Sequence, residues 1–350
     1  MRHTFMQDAD TRKALADFVL HAERLSMGDK VAEFEEAFAK WQGRRFAVMV
    51  NSGSSANLAL IQSLLNLGRL KRGDKVAVSG VTWATNVMPL GQLGLRPIAE
   101  DVLPEDLSHL SRFGKLELDA WFMTNLLGWA VLRTKAPLLE DNCESLGTVV
   151  HGGKAGNLGL ASTFSFFVGH HLSTIEGGMV CTDDPELHRM LVMVRAHGWG
   201  RNLPGARPQD AFTFYVPGFN IRPTESAGFL GLHQLPMLDE SIALREAIYD
   251  RLQPQSQLIV RKPPWIKRLS PMALPFICEP GTRDATVKRF NEAGIETRPI
   301  VAGNIQRQPF WTWKKTHTPG ADRIHDDGFY CGLRPDMTEE EIAIVEGCLR

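Results

Sequence analysis

Ser165-Phe166-Phe167-Val168-Gly169-His170-His171-Leu172-Ser173-Thr174-Ile175-Glu176-Gly177-Gly178 is the most informative stretch of the chain. It contains the one adjacent pair among eleven histidines, and it runs into Met179 to Thr182, a short apolar segment that reads as a strand. Outward from it, other strands are legible: Phe46-Ala47-Val48-Met49-Val50, Lys75 to Ser79, Arg96 to Glu100, Trp121 to Asn125, and Pro137 to Leu139, the last ending in Glu140-Asp141. Val31, Phe34, Phe38 and Trp41 fall at helical spacing and predict a helix over 31–41, ended by Gly43. A second apolar helical run extends from Asn57 to about Leu67. Strands alternating with helices indicate an α/β domain with a mostly parallel sheet. The Pro-rich stretch from Arg251 to Pro275 marks a change of character, and helix-like 284–293 and 338–349 predict a smaller C-terminal domain. The expected division is 1–240 and 241–350.

Composition narrows the functional classes. The 350 residues are 43% hydrophobic and carry a formal charge of −1, so no electrostatic argument favours nucleic acid or an acidic membrane as partner. The five cysteines, at 143, 181, 278, 331 and 348, form no Cys-x-x-Cys pair, and no metal site is expected. The first residues lack the apolar core and small-residue cleavage site of a signal peptide, and no run approaches the roughly 18 apolar residues of a membrane span. A soluble cytoplasmic protein is the expectation.

Several polar residues stand where ligands collect. Gly53-Ser54-Ser55 lies between a strand and a helix, where small residues and free helix amides suit a phosphate; from the tripeptide alone a plain serine N-cap is the favoured reading. Asp141 closes a buried-looking strand, the end at which open α/β sheets bind ligands, although an Asx turn also fits. Trp83 flanks an apolar strand, a usual place for a core aromatic. Asn220 follows Gly218-Phe219 as a turn residue would. The phosphate loop is followed by no Gly-Lys-Ser/Thr, which argues against a P-loop nucleotide module.

In order along the chain, these blocks resemble the DegT/DnrJ/EryC1/StrS family of sugar aminotransferases that use pyridoxal phosphate. The family segment reads Ser-Phe, three residues, Lys, then a Thr and Gly-Glu-Gly-Gly; over it His170 takes the lysine position and Ile175 that of the first glycine. Glu140-Asp141-Asn142-Cys143-Glu144-Ser145-Leu146-Gly147 is similar to Glu-Asp-Ala-Ala-Gln-Ala-His-Gly, and Gly218-Phe219-Asn220-Ile221-Arg222-Pro223-Thr224-Glu225 to Gly-Tyr-Asn-Tyr-Arg-Met-Thr-Glu. The histidine points to one branch, the 3-dehydratases of GDP-4-keto-6-deoxy-D-mannose. An imidazole moves protons but forms no Schiff base with the cofactor aldehyde.

The resemblance implies an aspartate aminotransferase-like (type I) fold with a smaller C-terminal α+β domain. It implies pyridoxal or pyridoxamine 5′-phosphate, its phosphate on Gly53, Ser54, Ser55 and Ser165, its ring stacked by Trp83, its nitrogen on Asp141 and its hydroxyl beside Glu144. Asn220 would reach the phosphate of a neighbouring subunit, making a homodimer with shared active sites. His171, Arg222, Arg298 and Asn304 would lie on the substrate side. His170 would act as base in removing the C3 hydroxyl of a nucleotide-linked 4-keto-6-deoxyhexose, with glutamate as amino donor. A non-catalytic scaffold or partner subunit, and a nucleotide-sugar aminotransferase or epimerase, are the rival readings. The iron–sulfur cluster of related dehydrases is not expected, since their closely spaced cysteine pair is missing. The chain also departs from the family between about Asp101 and Pro137, where it is short, and in Asn125-Leu126-Leu127-Gly128, which replaces His-Leu-Tyr-Gly.

Overall fold

The computed structural model describes residues 4–109, 117–130, 138–201 and 212–349, with 203, 205, 207 and 208 between the last two. Pro137, and with it much of the shortened segment, lies outside the described residues. Two helices, α1 (Asp8–His21) and α2 (Asp29–Gln42), precede β1 (Phe46–Val50), α3 (Gly53–Asn66), β2 (Lys75–Ser79), α4 (Ala84–Gln92), β3 (Arg96–Glu100) and β4 (Ala120–Thr124). The chain continues through β5 (Leu138–Asp141), the short β6 (Val149–Val150) and β7 (Gly153–Lys154), β8 (Ala161–Ser165), β9 (Gly178–Thr182), α5 (Pro185–Val194), α6 (Glu225–Gln234) and α7 (Leu238–Leu252). The remainder is β10 (Ile266–Arg268), β11 (Ala273–Ile277), α8 (Arg283–Glu292), β12 (Thr297–Pro299), α9 (Pro319–Asp327), β13 (Gly328–Gly332) and α10 (Glu339–Cys348).

Seven strands form the main sheet in the order β1-β9-β8-β5-β4-β2-β3, and β9 alone runs against the others. β1 is a continuous apolar run because helices cover both faces of the sheet: Val48, Met49 and Val50 are all buried. One face packs α3, α4 and α5 through Leu60, Ile61, Val87 and Leu191. The other packs α2 and α6 through an aromatic cluster in which Phe38 meets Phe164 at 5.1 Å and Phe166 at 5.2 Å. Each such fully buried ring contributes about 2–3 kcal/mol. That cluster also sets the direction of the loop after β8. Side chains alternate along a strand, so with Phe164 and Phe166 in the core Ser165 faces the opposite way.

The C-terminal part is an antiparallel sheet, β11-β13-β12, covered by helices around Phe276, Phe290 and Phe329. The expected division at 240/241 falls inside α7, whose Leu238 and Ile242 pack in the aromatic cluster while Ile248, Tyr249 and Leu252 pack with the C-terminal core. The second predicted helix starts at Gly53, not Asn57. Ser52 is extended, and its hydroxyl accepts the Ser55 amide at 3.1 Å, which caps the helix four residues earlier than the apolar pattern suggests. Among the described residues no helix is long and apolar enough to cross a membrane, and no group of three or more His, Cys, Asp or Glu side chains could hold a metal.

Candidate active site

The site lies at the carboxyl ends of β5 and β8 and at two helix N-termini. Ser52 takes one of the orphan amides of α3; those of Gly53 and Ser54 have no partner within the helix. The Ser54 hydroxyl donates to Thr85 Oγ1 at 3.1 Å and so joins this end of α3 to the first turn of α4. Gly53 has to be glycine: a Cβ there would lie 2.7 Å from Ser165 Cβ and 2.9 Å from Cys143 Sγ. Gly178 is similarly confined, since its Cβ would sit 2.3 Å from the Ser52 carbonyl oxygen. The sequence-predicted set Gly53, Ser54, Ser55 and Ser165 is thus one surface, with Ser52, which sequence reasoning missed, as its cap.

At the end of β5 two adjacent carboxylates do different work. Glu140 is fully buried and accepts the amides of Gly156, Leu158 and Gly159 at 2.8, 2.7 and 2.9 Å, so it braces a loop. Asp141 points the other way. Its Oδ2 accepts from Asn57 Nδ2 at 2.9 Å and Asn86 Nδ2 at 3.4 Å, and its Oδ1 from the Cys143 amide at 3.2 Å. A carboxylate has room for about four such bonds, and the fourth neighbour is the Cys143 thiol, a weak donor that a cationic N–H would displace. Neither asparagine has a sequence-level signal, since each sits inside an otherwise apolar helix. Glu144 accepts the Leu127 amide at 3.0 Å, and burial, aided by the neighbouring charge of Asp141, pushes its carboxyl up to about 7.

His170 stands in the loop between β8 and β9 with its ring edge-to-face against Phe167. Its Nδ1 lies 2.7 Å from the Cys143 carbonyl oxygen. A carbonyl only accepts, so Nδ1 carries the proton and Nε2 presents its lone pair. Burial lowers the pKa of the ring, partly offset by the Cys143 carbonyl and the charge of Asp141, which keeps it neutral at pH 7.

His171 differs from its expected place on the substrate side. It is buried, and its Nε2 donates to the Ser270 carbonyl at 3.1 Å, tying the loop to the segment before β11. Asn304 differs more sharply. It is buried at the cap of a short 3₁₀ turn; its amide nitrogen donates to Thr318 and Asp322 at 3.0 and 2.9 Å, and its oxygen accepts the Gln306 amide at 3.0 Å. Buried, with both amide hydrogens and one oxygen lone pair used internally, it holds a fold element together.

Trp83 is 54% exposed at the start of α4, so it is no core residue but an open ring beside the site. Asn220 is exposed and accepts from Arg222 Nε at 3.0 Å. Arg298, on β12, is exposed and paired with Glu296 at 2.7 Å; opposite it in register on β13 is Tyr330, which sequence reasoning also passed over.

These residues suit pyridoxal or pyridoxamine phosphate on the structure's own terms. A helix terminus with uncommitted amides and hydroxyls can hold a phosphate, and the exposed ring of Trp83 offers a stacking face. The weakly held acceptor place on Asp141 suits a pyridinium. Comparison with known proteins agrees. The DegT/DnrJ/EryC1/StrS aminotransferase family matches residues 6–109 and 130–350, and the gap falls in the shortened segment. GDP-4-keto-6-deoxy-D-mannose 3-dehydratase of Escherichia coli is 38% identical over 319 residues, 82% of each chain. The protein of that name from Yersinia pseudotuberculosis is 37% identical over 326 residues, 82% of this chain and 81% of that one. A solved structure of GDP-4-keto-6-deoxymannose-3-dehydratase with a trapped PLP-glutamate geminal diamine superposes with a TM-score of 0.90 at 32% identity, covering 97% of both chains. The chain belongs to the DegT/DnrJ/EryC1/StrS aminotransferase family.

Proposed function

We propose that the protein is a 3-dehydratase of a nucleotide-linked 4-keto-6-deoxyhexose, of which GDP-4-keto-6-deoxymannose is the leading substrate, working with pyridoxamine phosphate and with glutamate as amino donor. The observation that carries this reading is His170: a neutral imidazole with Nδ1 committed to the Cys143 carbonyl and Nε2 bare. No lysine occurs between Lys154 and Lys262, so the loop offers no amine to a cofactor aldehyde. A scaffold that had lost its chemistry would have no reason to keep an oriented base there.

When bound, the cofactor supplies an amine for the keto carbon and a ring that accepts an electron pair. The chain's own residues do the rest. Gly53, Ser54, Ser55 and Ser165 would hold the phosphate, Trp83 would cover the ring, and Asp141 would keep the ring nitrogen protonated. With the cofactor bound, His170 Nε2 would be the base that takes a proton from C4′ and, once protonated, would be the acid that gives it to the departing C3 hydroxyl, which leaves as water. With no lysine to capture the cofactor, elimination is favoured over amino transfer. Asn220 lies exposed close after the exposed Phe212, Phe214 and Tyr215, an apolar patch suited to a second copy whose site it would complete. Arg298 offers a guanidinium to the diphosphate.

The test is to incubate the protein with pyridoxamine phosphate, glutamate and GDP-4-keto-6-deoxymannose and assay ammonia. Release over many turnovers, lost in His170→Ala, is the expected result. A bound cofactor without ammonia would refute the dehydration.

A further inference from the structure

Asn57 sits one turn into α3, buried beneath Asp141. Besides its 2.9 Å bond to Asp141 Oδ2, its amide nitrogen donates to the Thr85 carbonyl at 3.1 Å, and its oxygen accepts the Thr163 hydroxyl at 2.6 Å. Both neighbours of the nitrogen are pure acceptors, so the orientation of this amide is dictated by chemistry. The Thr85 carbonyl is open to it because of a residue four positions on. Pro89, inside α4, has no N–H to return to that carbonyl. Thr163, on β8, stands in register with Asp141 on β5. Four elements therefore converge on one side-chain amide, and Asn86, also buried, adds its longer bond to the same carboxylate oxygen.

We propose that Asn57 is a positioning residue of the cofactor site: anchored by Pro89-freed Thr85 and by Thr163, it holds Asp141 through Oδ2 and leaves Oδ1 turned toward the ring nitrogen. This rests on the function proposed above. Without the Asn57 donor the carboxylate is no longer held in this orientation, and the ring nitrogen loses its counter-charge. Cys143, whose amide bonds Oδ1 and whose thiol also hydrogen-bonds the carboxylate, Glu144 and His170 face Asp141 as well.

The experiment measures pyridoxamine phosphate binding by spectroscopic titration from pH 6 to 9, beside thermal denaturation of the apo proteins. Asn57→Asp keeps the shape. While the introduced carboxyl is protonated its O–H replaces the amide donor, and the variant binds like the parent. Once both carboxyls ionise, affinity falls by roughly 10- to 100-fold relative to the parent at the same pH. Pro89→Ala gives Thr85 a helical N–H in competition with Asn57, so it weakens binding while Tm holds or rises. The second variant decides alone if the first does not fold. A Pro89→Ala protein that binds as the parent does, or an Asn57→Asp protein that tracks the parent even where both carboxyls are ionised, overturns the proposal. A parent that holds no pyridoxamine phosphate refutes the functional reading and this inference with it.

Discussion

Replacing Glu144 by Gln should stabilise the apo protein, and more so as pH rises. The folded chain holds this carboxyl at about 7, against an ordinary value of 4.5, chiefly through burial. A carboxyl raised by folding favours the native state in its protonated form, so stability is complete below about 4.5 and is lost as pH climbs through about 7. At 1.36 kcal/mol per pH unit the loss approaches about 3 kcal/mol at pH 8. Glutamine has the same shape, keeps an oxygen for the Leu127 amide and carries no charge. The variant should therefore match the parent near pH 4.5 and exceed it at pH 8 by up to about 3 kcal/mol. With about 2.1 cal/mol/K of unfolding entropy per residue, that is about 4 °C in Tm. His170 and His171 also titrate with depressed pKa values, but they act on both proteins alike and cancel in the difference. Paired thermal and urea denaturation at the two pH values measures the gap. A gap of equal size at both, or a variant weaker at pH 8, would refute the argument that burial holds Glu144 neutral.

Other substitutions probe the rest of the site. Gly53→Ala forces a methyl against Ser165 and Cys143 and should cost about 1–3 kcal/mol in urea unfolding, with weaker cofactor binding; full stability would mean the floor is looser than described. Asn304→Ala removes three internal bonds and should cost about 2–4 kcal/mol while leaving KM for the nucleotide sugar unchanged in the folded enzyme, so a raised KM would restore it to the substrate side. Ile175 sits at φ 71° with its side chain 48% exposed, so Ile175→Gly should gain about 1 kcal/mol; a loss would show that something covers the side chain in the assembled protein. Because burial lowers His170, the acid limb of kcat/KM should lie below pH 6.5, and a limb above that value would rule out neutral His170 as the base.

Much of this was legible in one dimension. Phe46–Val50, Lys75–Ser79 and Arg96–Glu100 appear with the bounds read from the sequence; the first shows most clearly that a strand buried on both faces announces itself as an unbroken hydrophobic segment. The family blocks carried the fold class and the histidine position. Less legible was whatever depends on a partner distant in the chain. The start of α3 is set by a hydroxyl at Ser52 and not by hydrophobic period, and α4 was hidden by Pro89 within nine residues. The resemblance puts Asn304 on the substrate side, yet its side chain is buried and bonded to Thr318, Asp322 and Gln306. Asn57 lies in an apolar helical run and becomes visible only when β5, β8 and α4 are brought around it.

The loop carrying His170 is pinned throughout. Its ends are opposed across the sheet, Ser165 to Gly178; within it Phe166 bonds Gly177 and Thr174 at the backbone, and His171 anchors it to Ser270. The backbone at position 170 is therefore laid down by its neighbours and owes little to the side chain there. The same backbone can seat a lysine or a histidine at this position without rebuilding the scaffold, and which of the two it carries decides whether the socket offers an amine or only a base. Diversity of deoxysugar chemistry on this architecture would then come cheaply to a genome, one socket at a time.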